Sequence, residues 1–360
     1  MNKNVLYFFA KLFFLTLLVL LSNWGIRAII ANKSYWGFEE LETKRHVFDQ
    51  KIKTYNNLFI GSSRFYRQID PITFDKNIDS SFGLQSFNYG LHSLSPPQVY
   101  DVYEEILAKD SLQLKYAFLE LMNVPQVAIV NLTSDRVIYW YNWQSYWFAV
   151  KAISQSNRTI VRKIYGIFSH TFCYFEYLLN FKMWSKVNQL KTKQESGNAD
   201  LEIAGKNLNG FYSYDEEMNT RNKANFDYKG MLKGYNDFMN DTSSVSDYKA
   251  YSQLAFSSSI DTINYNKIHL HKIQQLIEKS KQKDIHLIVF LPPRLVVEDY
   301  EELIPIFAQI PKDHRIEISN SHLYPELYLA KYTFDFGHLN EVGAQIFSKK
   351  IAQEFNKLQH

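Results

Sequence analysis

From Val5 to Ile30 the chain reads VLYFFAKLFFLTLLVLLSNWGIRAII, interrupted by Lys11, Ser22, Asn23 and Arg27. Wound as a helix at 1.5 Å per residue, about 20 of these positions reach across a bilayer core of roughly 30 Å. Lys11 near one end can snorkel, and Trp24 suits the interface at the other. A cleaved secretory signal is the competing reading, but the apolar run is long for one and RAIIANKS lacks a small-residue cleavage site. The expectation is a short cytoplasmic tail and transmembrane anchor over residues 1–32, then a polar stalk over 33–55. A large domain from 56 to 360 follows on the extracytoplasmic side, periplasmic or at the cell surface. Lys3 and Lys11 favour that orientation, while Arg27, Lys33, Lys44 and Arg45 weaken the contrast. The bilayer is thus the first expected partner.

A formal charge of +3 with scattered basic residues speaks against nucleic acid as a partner. One cysteine, Cys173, allows no internal disulfide. At 360 residues and 46% hydrophobic, the chain can bury one large core or a core with an inserted subdomain.

Beyond the stalk, Leu58 to Ile60 reads as a short buried strand running into Gly61-Ser62-Ser63-Arg64. SFNYG, residues 86–90, is a second strand ending in a turn. SPPQVYDVYEEILAKD is a helix with Ser95 as N-cap, prolines in its first turn, and Val99, Val102, Tyr103, Ile106 and Leu107 at helical spacing. LKYAFLELMNV is a third strand, so strand, helix and strand form a parallel crossover unit. Residues 125–260 change character, with aromatic bursts such as VIYWYNWQSYWFAV and the polar run KTKQESGNADLEIAGKNLNG. They read as an insertion, part helix and part loop. Trp140, Trp143 and Trp147 either pack its core or form an aromatic wall near a glycan or membrane surface. Alternation resumes at residue 262 with an amphipathic helix, the strand IHLIVFLPP, a helix over 300–310, the strand HRIEISN and a final helix in NEVGAQIFSKKIAQEF. Five short strands separated by helices predict a doubly wound parallel α/β sheet, in which ligands sit beyond the carboxyl ends of the strands.

A serine hydroxyl needs a base to take its proton, and that base works best when a third group fixes its tautomer. His92, His269, His271, His286, His314 and His322 sit in ordinary contexts. His338 lies in TFDFGHLNEVG, three residues after Asp335, where a turn can bring carboxylate and imidazole together and leave Nε2 free. Asp-x-x-His alone also fits a helix cap beside a solvated histidine. Arg64 reads either as an ion-pair partner or as an anion contact. The chain has no Gly-x-Gly-x-x-Gly, no P-loop, no His-Glu-x-x-His and no Cys/His metal spacing, so no cofactor is expected.

Gly61-Ser62-Ser63 after the first strand, Asn88-Tyr89-Gly90 after the second, Asn123 after the third and Asp335-x-x-His338-Leu339 near the C-terminus form an ordered set. It resembles the four blocks of the SGNH (GDSL-type) hydrolase family over residues 55–125 and 262–356. The nearest likeness is to its membrane-anchored branch, with Gly-Ser-Ser as first block. Proteins of that branch act beside membrane-bound O-acyltransferases on teichoic acids or exopolysaccharides. The resemblance implies a three-layer α/β/α, SGNH/flavodoxin-like domain interrupted by the long insertion. It implies Ser63 as nucleophile, His338 as base and Asp335 as its orienter. The backbone N–H groups of Ser63 and Gly90 and the amide of Asn123 would form the oxyanion hole, and Ser62, in place of the family's Asp, has no chemical step. The third block departs from the pattern: Leu121-Met122-Asn123-Val124 lacks the family's glycine and aspartate, so Asn123 is either a donor or a strand-end residue bonding to backbone. The implied function is a serine esterase or O-acyltransferase on an acylated cell-envelope glycan or polymer, with a membrane-bound O-acyltransferase as a possible partner. The alternatives are a non-catalytic scaffold of the same fold, which binds a glycan or that acyltransferase, and a deacetylase acting without a membrane partner.

Overall fold

The computed structural model describes residues 3–30, 39–125, 132, 137–179, 201–220, 226–257 and 262–359. Five strands form one all-parallel sheet in the order β2-β1-β3-β4-β5. They are β1 (Asn57–Ile60), β2 (Ser86–Asn88), β3 (Tyr116–Glu120), β4 (His286–Leu291) and β5 (Arg315–Glu317), the five segments expected from the sequence. The order reverses direction between β1 and β3, the place where doubly wound sheets open a crevice at their carboxyl edge. The helices are α1 (Lys3–Ile30), α2 (Glu39–Gln50), α3 (Ser63–Gln68), α4 (Pro71–Asn77), α5 (Gln98–Leu107), α6 (Val137–Trp140) and α7 (Trp143–Ser154). There follow α8 (Ile160–Leu179), α9 (Tyr214–Thr220), α10 (Phe226–Asn240), α11 (Ser243–Ser257), α12 (Lys267–Lys281), α13 (Val297–Ala308) and α14 (Glu341–Gln359).

Because the strands are apolar on both faces, alternate residues feed two cores. Leu58, Ile60, Leu119, Val289 and Leu291 enter one, which α2, α5, α12 and α13 close with residues such as Phe48, Tyr103, Leu276 and Tyr300. Phe59, Phe118, Ile288, Phe290 and Ile316 enter the other, against Phe74 of α4 and Phe347, Ile351 and Phe355 of α14. Parallel register sets Leu58 beside both Phe87 and Ala117, and Phe118 beside Ile288, so the aromatic and aliphatic rows line up across the sheet.

Two expectations change. The presumed stalk contains α2, whose Leu41, Thr43, Lys44, Val47 and Phe48 are buried at helical spacing, so Glu39–Gln50 belongs to the domain itself. Helix α5 starts at Gln98 with Pro97 at its cap and no side-chain cap bond; Ser95 contributes only its carbonyl, to the Val99 N–H at 3.1 Å. The insertion is mainly helical where described. Its α6 and α8 share a small core of Val137, Trp140, Tyr141 and Cys173, while α9 to α11 return toward the sheet's carboxyl edge. Of the polar run, residues 191–200 lie outside the described part.

Lys3–Gly25, within α1, is long and apolar enough to cross a membrane. Its apolar side chains up to Trp24 are exposed, whereas Asn23 is buried against α8, its Nδ2 donating to Leu178 O at 3.4 Å.

Candidate active site

The site begins where β1 runs out. Gly61 breaks the strand, and Ser62 caps α3, its hydroxyl accepting the Arg64 N–H at 3.2 Å. Ser63 is the first helical residue. Glu120, at the end of β3, is fully buried beneath this turn. Its Oε2 accepts the Ser62 N–H at 2.6 Å and its Oε1 accepts Arg64 Nε at 2.7 Å. A buried carboxylate is tolerated only when charge and lone pairs are both met, and here meeting them fixes the serine turn in place. Gly61 is required by the same carboxylate, since a Cβ there would lie 2.5 Å from Glu120 Oε2. Of the two readings of Arg64, the structure shows the ion pair.

The histidine arrives on a tight hairpin before α14. Thr333 and Leu339 bridge antiparallel, and the Phe334 N–H donates to His338 O at 2.9 Å. Within the turn Asp335 Oδ1 accepts the N–H groups of Gly337 and His338, both at 2.8 Å. The same carboxylate meets His338 Nδ1 at 2.8 and 3.1 Å through its two oxygens. On the far side of the ring, His338 Nε2 lies 2.9 Å from Ser63 Oγ. Burial pushes the Asp335 carboxyl up, but the His338 charge, its ring N–H and the two backbone donors outweigh burial and hold it below its ordinary value. An ionised carboxylate on Nδ1 puts that nitrogen's proton toward Asp335 and leaves Nε2 as an acceptor for the hydroxyl. Asn340, and not Asp335, caps α14, its Oδ1 accepting the Gly343 N–H at 2.9 Å.

The two other expected oxyanion donors already hold partners. Asn88 folds back so that its Oδ1 accepts the Gly90 N–H at 2.9 Å, while its Nδ2 holds Phe65 O and Ile69 O, each at 2.7 Å. Gly90 is needed for contact, because a Cβ would come 2.3 Å from Tyr66 N. The Asn123 amide donates to Asp299 Oδ1 at 2.8 Å, and its own Oδ1 is buried without a partner. Asn123 thus bonds to a side chain and not to backbone, and its amide carries a second N–H beside the one on Asp299. The Ser63 N–H makes no hydrogen bond among the described residues and is the one expected backbone donor left uncommitted.

Sequence reasoning missed several groups that build the site. Tyr214, from the insertion, sets its ring edge-on to His338 at 4.9 Å and stacks on Phe334 at 5.0 Å. Arg67 of α3 pairs with Glu217 of α9 at 2.7 Å and donates to Tyr212 O at 2.9 Å, tying the insertion to the serine helix. Lys44 of α2 is fully buried under the Asn88–Gly90 loop, and its Nζ donates to the carbonyls of Asn88 at 3.1 Å and Gly90 at 2.5 Å. Burial lowers its pKa well below the usual lysine value, with Glu40 opposing and Arg67 reinforcing. Arg294, just past β4, is buried with φ +61° and links Leu327 O at 2.9 Å and Thr333 Oγ1 at 2.7 Å, steadying the segment that leads to Asp335. Burial lowers its pKa to about 10. The signal for Glu120 was in plain sight: one carboxylate inside the apolar strand YAFLELM needs a buried partner.

Among the described residues, one group could hold a metal: His286, Asp313 and His314. It lies at the starts of β4 and β5, the opposite end of the sheet from Ser63. Comparison with protein-family models finds no match for this chain, and a search of curated proteins finds no significant relative.

Proposed function

We propose that the protein is an SGNH-type, membrane-anchored serine esterase or O-acyltransferase acting on an acylated cell-envelope glycan or related polymer. The observation that carries this reading is the continuous path from Asp335 through His338 to the Ser63 hydroxyl. In the reaction, Ser63 Oγ attacks the acyl carbonyl as His338 Nε2 takes its proton, and Asp335 stabilises the imidazolium. The tetrahedral oxyanion takes the Ser63 N–H. The imidazolium then returns its proton to the departing alcohol oxygen, leaving an acyl-serine. Water or a sugar hydroxyl, deprotonated by His338, releases the acyl group. This chemistry calls on no cofactor. In the same reading the sheet and its helices form the three-layer SGNH arrangement. Helix α1 spans the membrane with the domain on the extracytoplasmic side, and a membrane-bound O-acyltransferase is a partner that could supply the acyl group.

The test is turnover of a chromogenic acyl ester by the full chain in detergent, compared with Ser63→Ala. Equal turnover by both removes the proposal. A second reading, a scaffold of the same fold without catalysis, is favoured by the Gly90 N–H already committed to Asn88 Oδ1, since loss of an oxyanion donor typically costs about 3 kcal/mol of transition-state stabilisation. A fluorophosphonate probe separates the two: labelling at Ser63 that requires His338 supports the enzyme, and no labelling supports the scaffold.

A further inference from the structure

Helix α8 packs only one of its sides. Gly166, His170 and Cys173 are buried against the rest of the insertion. The opposite arc carries Ile160, Val161, Ile164, Phe168, Phe172 and Phe175, all exposed, with Ile160 at 73% and Phe168 at 69%. Tyr165 continues the same arc. At 1.5 Å per residue this apolar face runs for about 22 Å. A soluble monomer rarely shows water so long an uninterrupted apolar surface.

Three observations say what covers it. The end of α8 is fixed to α1 by the bond from Asn23 to Leu178 O, so the apolar face is continuous with the exposed surface of the helix suited to cross a bilayer. Trp143 and Trp147 of α7, in mutual ring contact at 5.1 Å, are exposed beside the helix, and Trp143 packs on Tyr174 at 5.5 Å. Exposed tryptophans at the rim of an apolar surface suit the headgroup level of a membrane. Arg162, exposed at the edge of the arc, suits an anionic headgroup. The arc itself offers phenyl and aliphatic groups, which lipid chains satisfy without directional partners.

We propose that α8 and the Trp143–Trp147 edge of α7 lie in the interface of the bilayer leaflet adjoining the Asn23 end of α1, with the apolar arc against acyl chains. The domain is then attached at two places, α1 and α8, and cannot swing freely on its anchor. This inference is independent of the chemistry at Ser63.

The test uses the full chain in nanodiscs of phosphatidylcholine and phosphatidylglycerol. In a Cys173→Ala background, nitroxides are placed at Phe168→Cys and Phe172→Cys, with the exposed Lys349→Cys on α14 as an aqueous control. Dissolved oxygen is expected to relax the first two labels several-fold more than a water-soluble nickel chelate does, with the control reversed. Nickel accessibility equal to the control overturns the proposal, as does spin–spin broadening from a second copy on the same face. A measurement without new cysteines guards against misfolded variants. Brominated lipids should quench the native fluorescence, and Trp143→Phe with Trp147→Phe should reduce the quenched portion. An unchanged quenched portion overturns the proposal too.

Discussion

The Asp335–His338 hairpin and the Asn88–Gly90 loop are both short polar loops at the carboxyl edge of the sheet, yet they spend their hydrogen bonds in opposite directions. In the hairpin, backbone and carboxylate satisfy one another, and the imidazole nitrogen left over points out to Ser63. In the loop, the Asn88 side chain holds two carbonyls of the serine helix region and the Gly90 N–H, while Lys44 takes the loop's own carbonyls at Asn88 and Gly90. One loop presents an imidazole to a serine hydroxyl; the other clamps α3 from beneath. What separates them is where each polar group finds its partner, which residue type and order do not state.

The sharpest way to break this comparison is to change one polar side chain in each loop. Asp335→Asn should leave the fold standing and reduce ester turnover by about a thousandfold or more, because the amide no longer fixes the imidazole tautomer. Asn88→Ala should instead lower stability by about 2–3 kcal/mol by orphaning buried carbonyls of α3. Chemical denaturation and turnover of the full chain in detergent measure both. If Asn88→Ala keeps its stability and loses only turnover, the loop is catalytic after all and the contrast fails.

The sheet was legible because its strands are apolar runs closed by Gly, Pro or polar residues, and each appears where those runs lie. Ser63, Asp335 and His338 were legible as a set because a serine just past the first strand and an Asp-x-x-His just before the last helix are residue types that pair by hydrogen bonds, and 2.9 Å now separates hydroxyl from imidazole. Lys44 was not read, since its two contacts, to Asn88 O and Gly90 O, lie more than forty positions away and leave no periodic trace; Glu120 was missed although a lone carboxylate in an apolar strand marks itself. Helix α2 passed for a stalk because its polar residues dominate the composition, while only one stripe of it is buried. The bond from Asn123 to Asp299 was beyond reach because its two ends lie 176 positions apart.

Glu120 sharpens the comparison from below the serine. Glu120→Gln keeps an acceptor for Arg64 but removes the charge, and its amide NH2 can face the Ser62 N–H where a carboxylate oxygen now accepts it. Breaking a fully buried pair costs about 3–5 kcal/mol. Arg64 is partly exposed, so the expected loss is about 2 kcal/mol, with turnover reduced because the serine turn loosens. Stability unchanged within error would mean the carboxylate does not hold the turn. A smaller effect is expected at Asn123. Asn123→Ala should cost less than about tenfold in turnover, whereas loss of a true oxyanion donor costs roughly a hundredfold or more. A drop of that larger size would show that the amide's second N–H serves the oxyanion.

The smallest effect concerns acid. Asp335 has a folded pKa held below its unfolded value, so its contribution to stability is present above the ordinary carboxylate value of 3.8 and is lost as pH falls through the lower, folded value. His338→Ala removes the charge and the ring N–H that oppose burial, leaving two backbone donors against it. The folded pKa then rises, so the stability that acid removes from the wild type shrinks, and once the folded pKa lies above 3.8 the sign reverses and acid stabilises the variant. Denaturation curves between about pH 3 and pH 7 should therefore diverge, by on the order of 1 kcal/mol for each unit the pKa moves. Parallel curves across that window would mean that the imidazole does not hold Asp335 ionised, and that the hairpin, like the Asn88 loop, satisfies its carboxylate from its own backbone.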